Sequence, residues 1–167
     1  MLLGLSESHL NDIKWIDDDT QRHDVIELFQ LNKADGFVLN KYKDKIDDDV
    51  INIMRPSQYG NPYPLFNTKD KNERLKEREK CVAKYLYTLL LNPSFIRFAK
   101  TNLRGNKLMC CCSPQLCHGN VLYRLSTQTN LFIESLSDFI QNGEDVYYRD
   151  QDKDILNKSL SSLLFNT

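Results

Sequence analysis

Charge of one sign is what this chain of 167 residues most plainly lacks: its formal net charge is −1. A balanced chain carries no broad field to draw in nucleic acid or an anionic membrane surface. Long apolar runs are missing too, since the longest, Tyr85–Leu91, falls far short of the about 20 residues that cross a bilayer. Met1–Leu10 has no basic segment and too short an apolar run for a secretory signal. Neither a P-loop nor a G-x-G-x-x-G turn occurs. These absences predict a soluble, cytoplasmic protein with no membrane partner, and they argue against direct nucleic-acid binding. The basic stretch Lys69–Lys84 does not alter that, because Asp70, Glu73, Glu77 and Glu79 interleave it as in a solvated, ion-paired helix face.

What the chain has is an apolar content of 41%, enough for a globular core, and a concentration of cysteine. Four of its five cysteines fall between Cys110 and His118, in "CCCSPQLCH". In a reducing compartment a disulfide framework is not expected, and three consecutive cysteines are awkward partners for one another. The alternatives are core packing, a reactive thiol or a metal site.

The hydrophobic pattern predicts a helix over Thr20–Leu31 burying Val25, Ile26, Leu28 and Phe29, then a short strand in Asp35–Asn40. Val50–Met54 reads as a strand buried on both faces. Arg55–Pro64 is a loop held by three prolines. A helix over Asn67–Asn92 carries Leu75, Val82, Tyr85, Leu86, Leu89 and Leu90 on one stripe. Pro93 breaks it, a second helix over Ser94–Leu103 ends near Gly105, and Lys107–Cys112 is a second buried strand. Cys117–Gln128 starts a further helix, and Leu131–Gln141 and Lys153–Phe165 are amphipathic. A single domain over 1–167 is expected, with a core of about 36–128, an N-terminal extension 1–35 and a helical C-terminal extension 129–167. The fold class is α/β with a mostly parallel sheet, in which ligands collect outside the carboxyl ends of strands. The Arg55–Pro64 and Ser113–Gly119 loops hold those two positions and are expected to face one crevice.

In the first loop, Arg55 suits a clamp on an anionic group. Ser57 and Asn61 offer hydrogen bonds, and Gly60 permits close approach; the plainer alternative is a rigid turn. In the second, Cys117 and His118 stand at a helix start, where an anion is favoured and a thiolate is more available. His118 is a candidate acid/base, Cys112 and Cys117 are candidate nucleophilic thiols, and Gly119 and Asn120 are candidate phosphate contacts. Cys110 and Cys111 read as small hydrophobes in a strand. No metal or other cofactor is expected. Zinc on Cys110, Cys112, Cys117 and His118 is the alternative, against which stand the C-x-C spacing and the adjacency of Cys117 and His118.

Two phrases, "INIMRPSQYGNPY" and "LRGNKLMCCCSPQLCHGNVL", together resemble the domain of unknown function numbered 4326, a family of phages and bacteria. Arg55, Pro56, Ser57, Gly60, Asn61 and Pro62 match its R-P-S and G-N-P elements. Leu103, Arg104, Gly105, Cys110, Cys112, Pro114, Cys117, His118 and Gly119 match its L-R-G and C-x-C-x-P-x-x-C-H-G elements. Asn106–Lys107 stands where the family places lysine directly after the glycine, and Cys111 stands where tryptophan is common. The resemblance implies a small Rossmann-like three-layer domain, adds Arg104 to the candidate ligand contacts and implies no established reaction.

The functional expectation is a crevice that binds, and as a hydrolase or transferase processes, a nucleotide-like or other phosphorylated small molecule. A non-catalytic binding or sequestering protein of viral or bacterial origin, acting in the host cytoplasm if viral, is the second reading. A zinc-stabilised interaction module is the third.

Overall fold

Short polar side chains set where the helices begin. In the computed structural model, which describes residues 4–31, 36–65, 68–113, 115–130, 133, 134 and 137, Ser6 accepts the His9 amide ahead of helix α1 (Glu7–Asn11). Helix α2 spans Lys14–Asp17, and Asp18 caps α3 (Asp19–Leu28) by accepting from the Gln21 amide. Asp70 does the same for Asn72 and Glu73 at the head of α4 (Lys71–Leu90). Each carboxylate or hydroxyl satisfies amides that the first helical turn leaves without partners. Pro93 is the first residue of α5 (Pro93–Leu103), a position that needs no N–H. Gly105 follows that helix at φ +82°, where glycine alone is unstrained.

Three short strands, β1 (Val38–Asn40), β2 (Ile51–Asn52) and β3 (Leu108–Cys110), form a sheet in the order β1-β3-β2. Both pairings are parallel, with Asn40 beside Cys110 and Asn52 beside Met109. The chain leaves β2, runs through α4 and α5, returns as β3, and passes through the cysteine turn into α6 (His118–Thr127). The class is therefore α/β, with a three-stranded parallel sheet and six helices among the described residues. None of those helices is long and apolar enough to cross a membrane.

Two expectations are corrected. Val50–Met54 is not a strand buried on both faces: only Ile51 and Asn52 pair, and Asn52 is exposed. Among the described residues β2 is an edge strand with a neighbour on one side only, and of this segment Ile53 alone is fully buried. Leu75 does not belong to the buried stripe of α4; it is 58% exposed. The first turns of that helix, Lys71–Lys76, stand in solvent, whereas from Cys81 onward almost every side chain is enclosed. The charged half of α4 is ion-paired as its composition predicts, with Lys76 at 3.4 Å from Asp19 and Lys80 at 3.7 Å from Glu77.

The chain divides into two compact units, Met1–Ser126 and Thr127–Thr167. In the first, the N-terminal helices are part of the core: Trp15 and Ile16 are buried, and Arg22 is 1% exposed. Its guanidinium donates to the Ile16 carbonyl at 3.0 Å, to Asp19 at 2.7 Å and to Glu79 of α4 at 3.2 Å. In the second unit the Ile133 amide donates to the Thr129 carbonyl, and Ile133, Glu134 and Ser137 are helical. The rest of the expected helix at 131–141, and all of that at 153–165, lie outside the described residues.

The placement of α4 predicts a contrast within one helix. Leu86 is fully buried, so Leu86→Ala should cost about 2–5 kcal/mol. Leu75→Ala should stay within about 0.5 kcal/mol of wild type. Urea unfolding midpoints check both, and equal losses would contradict this burial pattern.

Candidate functional site

The site begins at the carboxyl end of β1. Asn40 is buried, and its side-chain amide donates to the carbonyls of Cys111 at 3.2 Å and Ser113 at 2.7 Å. Its side-chain oxygen accepts from the Tyr42 amide at 2.9 Å and the Lys43 amide at 3.2 Å. Ser113 returns a bond from its hydroxyl to the Val38 carbonyl at 2.7 Å. The turn that leaves β3 is thus tied to β1 by side chains, since the ladder itself ends at Cys110. An irregular, partly buried turn needs such partners for its backbone groups.

Three thiols meet inside that turn. Cys110 Sγ lies within 4.8 Å of the Sγ atoms of both Cys112 and Cys117. Cys112 is held far below the ordinary thiol value, first because Cys110 and Cys117 donate to it, and further by a hydrogen bond and charge from Arg78, while burial opposes the shift. Cys110 is pushed up to about 12, chiefly by the bond it gives to Cys112. Cys117, the residue before α6, rises for the same reason, through its bonds to Cys110 and Cys112.

His118 opens α6 and is buried. Its Nε2 lies 2.8 Å from the Ile53 carbonyl, which can only accept, so Nε2 carries the proton. Nδ1 therefore presents a lone pair, and it faces Cys117 Sγ at 3.6 Å. Tyr85 packs edge-on against the ring, at 5.2 Å between centroids, and donates its own hydroxyl to the Tyr59 carbonyl at 2.7 Å. Burial lowers the imidazole's pKa, against the opposing pull of the Ile53 bond and Cys112. The ring is neutral near pH 7. Nε2 is taken by Ile53, and the Nδ1 lone pair is turned to Cys117.

Above these groups is a cavity of about 360 Å³. Met54, Arg55, Asn61, Tyr63 and Leu65 line it from the arginine–proline loop, and Cys110–Cys112, Leu116, Cys117 and His118 from the cysteine turn. Arg78, Cys81 and Val82 of α4 close it. The two loops thus share one crevice. No aspartate or glutamate is among the described lining residues. Arg55 is exposed and has neither a hydrogen bond nor an ion pair among the described residues.

The other candidates have different surroundings. Asn61 lines the cavity, but its oxygen accepts from the Tyr63 amide at 2.9 Å, as in a rigid turn. Ser57 shapes the same turn by accepting from the Tyr59 amide. A Cβ on Gly60 would come within 2.7 Å of Arg55 Cγ, so the close approach there is to the protein's own arginine. Gly119 packs α6 on the sheet, where a Cβ would meet Ile53 and Val38 side chains at 2.8 and 2.9 Å. Asn120 donates to the Leu31 carbonyl at 2.7 Å, tying α6 to the segment after α3. Arg104 caps α5 ahead of β3, at the opposite end of that strand from the cysteines, and does not line the cavity. Cys111 lies beyond the end of β3 and is exposed, so its reading as a strand hydrophobe is corrected. Cys110 is buried, but its thiol belongs to the cluster and does not serve only as packing.

The sequence reading missed Arg78 and Asn40. Arg78 stands three and four residues before Cys81 and Val82, on the same helix face, and that spacing would have pointed it at whatever those residues touch. Asn40 is a polar residue ending a strand, a place where ligand-side groups collect.

Residues 38–128 match the family described as domain of unknown function DUF4326. The chain belongs to the DUF4326 family. Neither the curated proteins nor the solved structures contain a match to it. The DUF4326 region begins with β1 and ends just after α6, so it holds every described residue that lines the cavity. The N-terminal helices precede it and touch it through α4 and Asn120.

This arrangement makes Asn40 a structural key. Asn40→Ala would leave the Cys111 and Ser113 carbonyls and the Tyr42 amide without these partners, at a cost of at least about 2 kcal/mol. Asn52→Ala, at an exposed position, should cost less than about 0.5 kcal/mol. Equilibrium unfolding in urea measures the difference.

Proposed function

We propose that the cavity binds a small anionic molecule of nucleotide-like chemistry, with Arg55 as the principal anion contact. The observation that carries this reading is an arginine without a partner among the described residues, at the lip of a cavity lined by no described carboxylate. Such a guanidinium favours a phosphate or carboxylate bidentately. The volume of about 360 Å³ lies in the range of pockets that enclose small molecules, about 300–1,000 Å³. Met54, Leu65, Val82 and Leu116 supply an apolar wall with Tyr63 beside it, which suits a flat base or similar ring better than a bare inorganic anion. A position outside the carboxyl ends of β2 and β3 supports reading the sheet as a small Rossmann-like core. The free thiols suit a reducing, cytoplasmic setting.

Binding without turnover is the favoured form of the proposal. A hydrolase or transferase needs a group that moves a proton at the reacting centre, and both nitrogens of His118 have protein partners. AMP, ribose 5-phosphate and pyrophosphate, each titrated in a thermal-shift assay, test the idea, because a ligand of the native state raises its apparent stability. AMP should stabilise most. Arg55→Ala should weaken that binding at least about tenfold, and Arg104→Ala should leave it unchanged. No stabilisation by any of the three, or equal effects of the two substitutions, would overturn the reading.

A further inference from the structure

The geometry points to a zinc site at the floor of the cavity, formed by the Sγ atoms of Cys110, Cys112 and Cys117 and Nδ1 of His118. This inference does not rest on the anion reading; the ligand sets differ.

The sequence spacing argues against zinc, since C-x-C and an adjacent Cys-His pair are not the usual gaps. Folding removes that objection. Cys110 ends β3, Cys112 follows on the turn pinned by Asn40, and Cys117 and His118 arrive from the start of α6. Cys110, Cys117 and His118 have ligand atoms all within 4.8 Å of one another. Cys112 joins them through Cys110, whose Sγ lies within 4.8 Å of its own. Ordinary zinc bond lengths in a tetrahedron separate a sulfur from a nitrogen ligand by about 3.5 Å, and Cys117 Sγ lies 3.6 Å from Nδ1.

The surroundings match what a metal-bound histidine requires. A ligating imidazole usually donates its other N–H to a carbonyl or carboxylate, which fixes the tautomer and aims the lone pair. His118 makes that bond to Ile53, and its Nδ1 lone pair points at the sulfurs. The Gly119 amide donates to Cys117 Sγ at 3.4 Å, a bond that supports a thiolate. Three thiolates and a neutral imidazole around Zn²⁺ leave a single net negative charge. Arg78, which lines the cavity with the cysteines and donates to the Leu116 carbonyl at 3.5 Å, supplies a positive charge to balance it. On binding, each thiol that still holds a proton releases it to solvent and ligates as thiolate, with no change of oxidation state. The donor set of three sulfurs and one nitrogen, closed and mostly buried, favours zinc over oxygen-seeking cations.

Cys111 is the rival donor, because its Sγ also lies within 4.8 Å of those of Cys110 and Cys112. It is exposed, whereas Cys112 is half-buried. The full chain, purified without chelator from zinc-supplemented medium, should carry one zinc per chain by elemental analysis. Anaerobic replacement with Co²⁺ should give the visible bands of a tetrahedral site and a thiolate charge-transfer intensity corresponding to three sulfurs. Cys110→Ser, Cys112→Ser and Cys117→Ser should each lose stoichiometric metal. Cys111→Ser and Cys81→Ser should retain it, and Arg78→Met should weaken retention about tenfold. Wild-type protein that fails to hold zinc against a competing chromogenic chelator overturns the inference without recourse to any variant. A four-sulfur intensity, or loss of metal from Cys111→Ser, overturns this donor set.

Discussion

The bond from His118 Nε2–H to the Ile53 carbonyl, at 2.8 Å, is the constraint on which the site depends. It joins the end of β2 to the first residue of α6, two elements separated in sequence by the whole α4–α5 crossover. Because a carbonyl can only accept, the bond settles which nitrogen is protonated and turns the other toward Cys117. Burial then keeps the ring neutral. Without this bond the imidazole would be a buried polar group lacking a partner, a costly state, and its lone pair would have no fixed direction.

Helix α4 carries the second constraint, and it serves two sides of the molecule. Glu79 receives the buried Arg22 guanidinium, holding the N-terminal helices in the core. Arg78, the neighbouring residue, faces the thiols and the cavity. Successive residues of a helix point about 100° apart, so one turn can bind the N-terminal helices and still present a cation to the cysteine turn. The helices before β1 are thus bound into the same unit as the DUF4326 region, although they lie outside the family match.

Much of the scaffold was legible because it rests on local rules. Proline and glycine mark the ends of α5, the alternation of strand and helix implies the parallel sheet, and the rule for carboxyl strand ends puts both loops at one crevice. Errors came where burial depends on neighbours. Leu75 has the right period for the α4 stripe, but no element among the described residues buries it. Val50–Met54 has the composition of an interior strand, but among the described residues it lies at a sheet edge where only two of its residues find a ladder partner. Gly119 and Asn120 suit a phosphate by residue type, yet their actual neighbours are Val38, Ile53 and Leu31.

The cysteine turn divides the two kinds of information most clearly. Sequence alone determined that thiols and an imidazole would gather after a strand and before a helix, because side-chain identity and chain punctuation are local properties. It also determined that disulfides were a poor account of them. Only the tertiary structure decided which of the three consecutive cysteines are buried, which nitrogen of His118 faces Cys117, and that Asn40 holds the turn while Arg78 lines the same cavity. Those outcomes depend on distances between residues tens of positions apart, and such distances exist only once the sheet and helices have packed.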